Sequence, residues 1–464
     1  MFKRFRPIYV GFPLLLCALL VLMSACSLFP GGANGAVTPT VIANASTPNS
    51  GATGTAVTQT VPMPQTQTSC PADNTARAAV MRPLARGKLQ NLIYIYNEVP
   101  EITTSAIGHL RRYDVSNGHK AEVVSSGIRI DQAQISADGQ WILFLSIPDP
   151  HNDAQHAALL QLVRMDGEGL QTLYCFPQTT YSTLPNLSHL PIALQWSVDE
   201  KSILISVNTK ATASEIFVLD VATGTLRQLF LEQTNASYYY SVMTWLDNTH
   251  FYVIKQGSSS PTPPATVYLM DASTATPANP GLKQILTTTT RQSYYSLDSS
   301  FDGTLLYSSY CLLAASPFST NIQVGPASGG SRHAIYQDKP HNCVQTLRTI
   351  STNTLLMLVQ TANSTGTDFK DEVWTMNLLA NSTKALTTLT NPNSGQTDYN
   401  FNLSSQYTWS NVSRDGSYYA LQARDPIATN QTILVCPTKG GDPVAIAVTN
   451  PGTSSVSLAG WTTL

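Results

Sequence analysis

Charge is scarce in this chain. Only 12% of its 464 residues are Asp, Glu, Lys or Arg, and none occurs from Pro7 to Ala72. The 26 basic and 28 acidic side chains leave a net charge of −2, and Lys3, Arg4 and Arg6 stand apart at the N-terminus. No basic stripe is left to track a phosphate backbone, which excludes nucleic acid as a partner. No two cysteines are spaced Cys-x-x-Cys, which excludes a zinc knuckle and a thioredoxin-like centre. A Gly-x-Ser-x-Gly nucleophile elbow is missing, and no α/β pattern follows the repeats described below, so a peptidase gated by its own β domain is excluded too. Finally, the one long apolar run, Ile8 to Met23, contains Pro13 and falls short of the roughly 20 residues a membrane-spanning helix needs.

That run follows three basic residues, the order of charge and hydrophobicity that makes a secretory signal. It ends in Leu22-Met23-Ser24-Ala25-Cys26, which resembles the bacterial lipobox, with Met23 where Leu is usual. The resemblance implies that residues 1–25 are a lipoprotein signal peptide and that Cys26 is lipidated, becoming the mature N-terminus. Two or three acyl chains, at about 0.8 kcal/mol per buried CH₂, hold a protein on a membrane where one chain is marginal. The composition then shifts to Thr, Ala, Gly, Pro, Ser and Asn, which cannot bury a core. Residues 26–75 are therefore expected to be the lipidated cysteine and a flexible tether of roughly 40 Å reach. This predicts an extracytoplasmic, membrane-anchored protein at the cell surface or in the periplasm.

From residue 76 to 464 a turn signature recurs at intervals of roughly 55 residues. Ser136-Ala137-Asp138-Gly139 returns as Ser197-Val198-Asp199-Glu200, Ser300-Phe301-Asp302-Gly303 and Ser413-Arg414-Asp415-Gly416. Weaker copies stand at Leu246-Asp247-Asn248 and Ser351-Thr352-Asn353. Each is followed by an apolar run. Asp-Gly and Asn-containing pairs tolerate the positive φ of a tight hairpin, so each copy predicts a turn between two antiparallel strands. A second turn, Asp220-Val221-Ala222-Thr223-Gly224, recurs as Asp114-Val115-Ser116-Asn117-Gly118 and more loosely at Asp166-Gly167, Ser328-Gly329-Gly330 and Lys439-Gly440-Gly441. The unit around Trp196 parses into four strands: Ala193 to Ser197, Ser202 to Val207, Glu215 to Val221 and Leu226 to Phe230. Short unbroken apolar runs of this kind fit strands covered on both faces.

Ser-x-Asp-Gly before an apolar strand, then an apolar-Asp-x-x-x-Gly hairpin, resembles the TolB-type and related WD-like β-propeller repeats. The resemblance runs from about residue 89 to the C-terminus. It implies an all-β, seven-bladed propeller, preceded here by the signal peptide and a disordered linker. TolB places an α/β domain before its propeller, and this chain has little sequence between linker and Gln90 to build one, so the Tol–Pal role is not implied. The sialidase Asp box also differs, because Gly follows Asp directly here and the Thr-Trp pair is missing. The first unit, with strands at Leu92 to Asn97, His109 to Val115 and Ala121 to Ser125, lacks an innermost strand. Ser455 to Trp461 has the pattern of one and is followed by no further strands, so the tail is predicted to complete blade one and close the ring.

Of the cysteines past Cys26, Cys311 and Cys343 would lie where two adjacent blades meet. Cys70, Cys175 and Cys436 bring the total to an odd number, so at least one thiol is free or pairs with another chain, and buried unpaired cysteines are an equal alternative. Long connections run from Ser146 to Ala158, Pro177 to Leu190, Glu232 to Tyr240, Gly257 to Ala265, Cys311 to Thr320, Thr361 to Asp371 and Thr390 to Gln406. In an up-and-down blade these gather on one face, a natural binding surface. Tyr181, Tyr239, Tyr240, Tyr399, Phe401 and Tyr407 are its candidate contacts, since rigid amphipathic rings among small polar groups suit protein or glycan recognition. The same rings could instead pack beneath their loops.

His151, Asp153 and His156 resemble metal ligands but match no spacing with a mechanism, so neither a metal nor a cofactor is expected. Asp398 and Asp425 fall on the same predicted face, but sequence alone does not give the separation that a glycosidase carboxylate pair requires. The sequence favours a non-enzymatic, lipid-anchored propeller that binds a protein, peptide or glycan at the cell envelope. The alternatives are a propeller enzyme acting on a glycan, as hydrolase or lyase, and an accessory or sensor subunit of an envelope complex.

Overall fold

A computed structural model describes residues 69–72, 84 and 87 and, from 89 to 463, all but the segments 99–106, 149–152, 154, 178–190, 210–212, 234–237, 258–264, 288–295, 301, 313–318, 338–341, 363–368, 390–397, 401–411, 425–429 and 451–452. The leader, Cys26 and most of the linker lie outside these residues. Seven four-stranded antiparallel sheets form the blades of a propeller ring. Six blades take their strands a to d in chain order; in blade 3 these are Pro191–Trp196, Ser202–Thr209, Ala213–Asp220 and Leu226–Gln233.

Blade 1 differs, because its strand a is Ser455–Thr463, paired antiparallel with Gln90–Asn97 in a register running from Gln90↔Thr463 to Asn97↔Ser455. The C-terminal strand thus closes the ring, as the sequence predicts. Trp461, Val456 and Leu458 are buried together with Leu92 and Tyr94 of blade 1 and Ile433 and Val435 of blade 7. At roughly 1.5 to 3 kcal/mol for each large apolar side chain buried, this seam is a major part of the fold's stability. Polar groups fasten it further: Thr462 Oγ1 donates to Gly139 O of blade 2 at 2.7 Å, and Arg414 Nη1 and Nη2 of blade 7 donate to Ala137 O and Ser136 O at 2.7 and 2.9 Å.

The recurring Ser-x-Asp-Gly is a self-contained hydrogen-bonded turn. Ser136 Oγ donates to Asp138 Oδ1 at 2.6 Å and accepts from Trp141 N at 3.0 Å, while Asp138 Oδ1 accepts from Gln140 N at 2.8 Å. Ser413 and Asp415 repeat the set, with 2.7 Å between hydroxyl and carboxylate and 2.9 Å from Tyr418 N to Ser413 Oγ. Burial alone would raise the Asp199 and Asp415 carboxyls, but the serine hydroxyls and backbone N–H groups outweigh it and hold both below the usual range. Gly139 has φ +77°, and a Cβ there would also lie 3.0 Å from both Arg414 Nη2 and Thr462 Oγ1. This glycine therefore serves the turn and the ring seam together.

Adjacent blades share apolar clusters, such as Leu143 and Leu160 of blade 2 with Trp196 and Ile203 of blade 3. Strands a of neighbouring blades are also stitched by side chains. Trp245 Nε1 donates to Gln195 O at 3.2 Å, Leu347 N donates to Ser296 Oγ at 3.2 Å, and buried Arg348 lies 3.9 Å from buried Asp298. One sequence expectation needs correction. Thr390 to Gln406 is not one connection, because Asp398–Asn400 pairs with Gln422 to Arg424 as part of strand a of blade 7, and Val412 makes a further bridge to Tyr419. The disulfide joining Cys70 to Cys175 is a pairing the sequence did not single out.

Candidate functional site

The connections between strands b and c, and between d and the next a, emerge on one face of the ring. Described side chains at that face form three clusters. In blade 1, Tyr96 and His109 are opposite each other at the ends of strands b and c, Gln90–Asn97 and Gly108–Asp114. His109 Nδ1 lies 2.8 Å from Glu122 Oε2 and its Nε2 3.4 Å from Glu98 Oε1, so two carboxylates flank one imidazole. The Arg111 guanidinium sits 4.3 Å from the Tyr96 ring centre, a cation–π contact.

In blade 4, strand a, Tyr238–Trp245, begins with three tyrosines. Lys255 from strand b places its ammonium 4.8 Å from the Tyr238 ring centre and 5.0 Å from that of Tyr240, and 3.7 Å from Glu232 on blade 3. Tyr240 is 3% exposed and packs its ring 4.7 Å from that of Phe230. Burial, aided by the hydrogen bond to Glu232, pushes its phenol well above the ordinary tyrosine value. Tyr240 is thus a ring beneath the face, holding Lys255 and Glu232 in place, whereas Tyr238 and Tyr239 are half-buried. Tyr399 lies on the paired segment Asp398–Asn400, and its side chain is not described; Tyr181, Phe401 and Tyr407 lie outside the described residues.

The third cluster is at blade 2. Of the metal-like trio, Asp153 and His156 are described, and His156 sits beside the Cys70–Cys175 disulfide. Among the described residues Cys70, His156 and Cys175 are the one group of three ligand-type side chains gathered closely, and with both sulfurs joined in a disulfide it offers an ion no thiolate.

The opposite face carries the tight turns, and there sequence reasoning missed a residue. Glu200 takes the place of glycine in its copy of the repeat and adopts the left-handed φ of +62° that glycine supplies elsewhere. Holding a non-glycine residue there costs about 1 to 3 kcal/mol. Its carboxylate reaches the neighbouring blade and accepts from Asp138 N at 2.6 Å. Burial raises Glu200 from 4.5 to about 7, with the Asp138 carboxyl adding to the rise while the Asp138 N–H bond and Arg414 oppose it. A groove of about 400 Å³ between blades 3 and 4 also opens on this side, lined by Asp220, Thr223, Arg227, Asn248, Thr249 and Ser273. Arg227 is tied there to Ala275 O at 2.8 Å.

No protein-family model matches the chain, and no curated protein does. Solved structures similar to it include TolB from Acinetobacter baumannii, at 13% identity and a TM-score of 0.39, covering 65% of this chain and 64% of that one, less than two thirds of its length. An oligogalacturonate lyase in complex with manganese matches at 11% identity and a TM-score of 0.46, over 78% of this chain and 86% of the other. The periplasmic gluconolactonase of Pseudomonas aeruginosa matches at 12% identity and a TM-score of 0.48 over 79% and 99%. Nothing about activity passes to this chain from matches of that size. By its own turns and its seven four-stranded sheets, the chain is a seven-bladed β-propeller.

Proposed function

We propose that this propeller is a binding module of the cell envelope, lipid-anchored through Cys26, whose long-loop face takes a protein, peptide or glycan. The observation that carries the reading is the contrast between the two faces. One gathers the long connections and presents Tyr96 and Tyr238 with cations already seated on their rings, the first near His109 and the carboxylates that flank it, the second next to Tyr239. Rings held in this way lose little conformational freedom on binding, and so suit recognition of an extended polar ligand. The other face is built of turns whose serine and aspartate groups are engaged within the turn itself. The Cys70–Cys175 bond supports an oxidising, extracytoplasmic location, where disulfides persist.

The test uses purified protein immobilised against an array of envelope glycans and against detergent-solubilised envelope proteins. For any ligand found, Tyr239→Ala or Arg111→Ala should weaken binding by more than about 1 kcal/mol, as interface anchors do, without unfolding the protein. Unchanged affinity in both variants would place the site elsewhere. Metabolic labelling with a palmitate analogue tests the anchor, since wild type should label and Cys26→Ala should not.

A further inference from the structure

The tight-turn face has one connection that is not tight. Between strands c and d of blade 4, Thr266–Asp271 and Lys283–Thr287, the chain runs through residues 272–282, whereas the same connection is 115–119 in blade 1 and 221–225 in blade 3. Its own backbone bonds hold it: Ala275 N donates to Asp271 O at 3.0 Å, and Thr276 and Asn279 exchange bonds of 3.1 and 3.0 Å. Arg227 of blade 3 then reaches across the blade boundary, donating from Nη1 to Ala275 O at 2.8 Å and from Nη2 to Ala272 O. The long loop is thereby clamped to its neighbour. Loop and clamp together wall the groove of about 400 Å³, since Ala272, Ser273 and Arg227 all line it. That volume lies within the range of small-molecule sites, roughly 300 to 1,000 Å³.

The lining divides into a small apolar part and a polar rim. Trp245, Val218 and Ala272 are buried, and Trp245 spends its Nε1 proton on Gln195 O. On the rim, Asp220 Oδ1 accepts from Thr223 N and Oγ1 at 2.8 and 2.9 Å, while no described group donates to Oδ2. The Asn248 carboxamide and the Ser202 hydroxyl have no hydrogen-bond partner among the described residues, and Arg227 bonds carbonyls rather than a carboxylate. The rim therefore offers an acceptor, a donor and two groups that do both. An anion there would meet the Asp220 carboxylate, and an apolar side chain would leave the whole rim unpaired. A ligand whose hydroxyls both donate and accept satisfies every one of these groups, and the C–H face of a sugar ring suits the small apolar part. We propose that this groove binds a neutral pyranose unit of a glycan, with Asp220, Asn248 and Arg227 taking its hydroxyls. The site lies on the face opposite the long connections and does not depend on the binding proposed there.

The test is saturation-transfer difference NMR with calorimetry on the full folded protein, using cellotriose, maltotriose, mannotriose and chitotriose, with glucuronic acid and inorganic phosphate as charged comparisons. At least one neutral trisaccharide should bind at millimolar concentration or below, and more tightly than either charged compound. Asn248→Ala and Asp220→Asn should each weaken that binding by about fivefold or more, the worth of one hydrogen bond, at an unchanged melting temperature. Asn248 is exposed on a turn and Asp220→Asn keeps the shape of the side chain, so neither variant threatens the fold. Affinity that changes by less than this in either variant would put the sugar elsewhere on the molecule and overturn the proposal. So would a panel in which no neutral trisaccharide binds, or in which phosphate or glucuronic acid binds more tightly than all of them.

Discussion

At the residue scale, Glu200 breaks a local backbone rule and makes a hydrogen bond to another blade by doing so. The other Ser-x-Asp turns that share its pattern carry glycine at this position, and Glu200 accepts its left-handed backbone while reaching Asp138 N on the neighbouring blade. Its folded carboxyl binds a proton more tightly than in the unfolded chain, rising from 4.5 to about 7. The stability it contributes is therefore complete below about 4.5 and is lost as pH climbs through about 7. Discounted for partial exposure, the loss is on the order of 1 to 2 kcal/mol. Urea unfolding of wild type and Glu200→Gln between pH 5 and 8 should show wild type losing stability relative to the variant as pH rises. A gap between the two proteins that does not change with pH would contradict this. The sequence shows that Glu200 departs from its repeat, but not why, because its partner is set by the ring rather than by the local chain. Tyr240 makes the same point in reverse: its residue type suits a contact surface, and only the packing against Phe230 reveals a buried support.

At the scale of the element, the turns were legible and some of the strands were not. Ser-x-Asp-Gly encodes its own hydrogen bonds within a few residues, so its chemistry is the same wherever it stands. The segment Asp398–Asn400 has three paired residues and no alternating apolar pattern, so nothing local marks it as a strand. Likewise, Cys70 and Cys175 are 105 residues apart and carry no spacing signal. Contacts between strands a of adjacent blades belong to this scale as well. Asp298 and Arg348 are both buried, and burial raises the carboxyl and lowers the guanidinium while each charge opposes the shift of the other. Removing one partner strands the other, so Arg348→Met should cost about 3 to 5 kcal/mol in urea unfolding. The double variant with Asp298→Asn should recover more than half of that loss. A double variant no more stable than Arg348→Met would show that the pair does not act as a unit.

At the scale of the whole molecule, ring closure couples the chain ends. The missing innermost strand of blade 1 and the unaccompanied strand at Ser455–Thr463 could be matched from sequence because each is a defect that the other repairs. Deleting residues 454–464 exposes the apolar seam around Leu92 and Ile433, and should lower the melting temperature sharply or give insoluble protein, since net stability is usually only about 5 to 15 kcal/mol. A truncated protein that melts like the full chain would contradict the seam's role. What the repeat could not reveal is whether either face binds, since both faces are written into every blade.

Hydrogen–deuterium exchange with and without any envelope ligand that the immobilised protein captures tests the proposed binding face most directly. Binding by the long-loop face predicts new protection at the ends of Gln90–Asn97 and Gly108–Asp114, at Tyr238 to Tyr240, and at Lys255 to Gly257. Protection confined instead to the turns at 136–140, 197–201 and 413–417 would contradict the account.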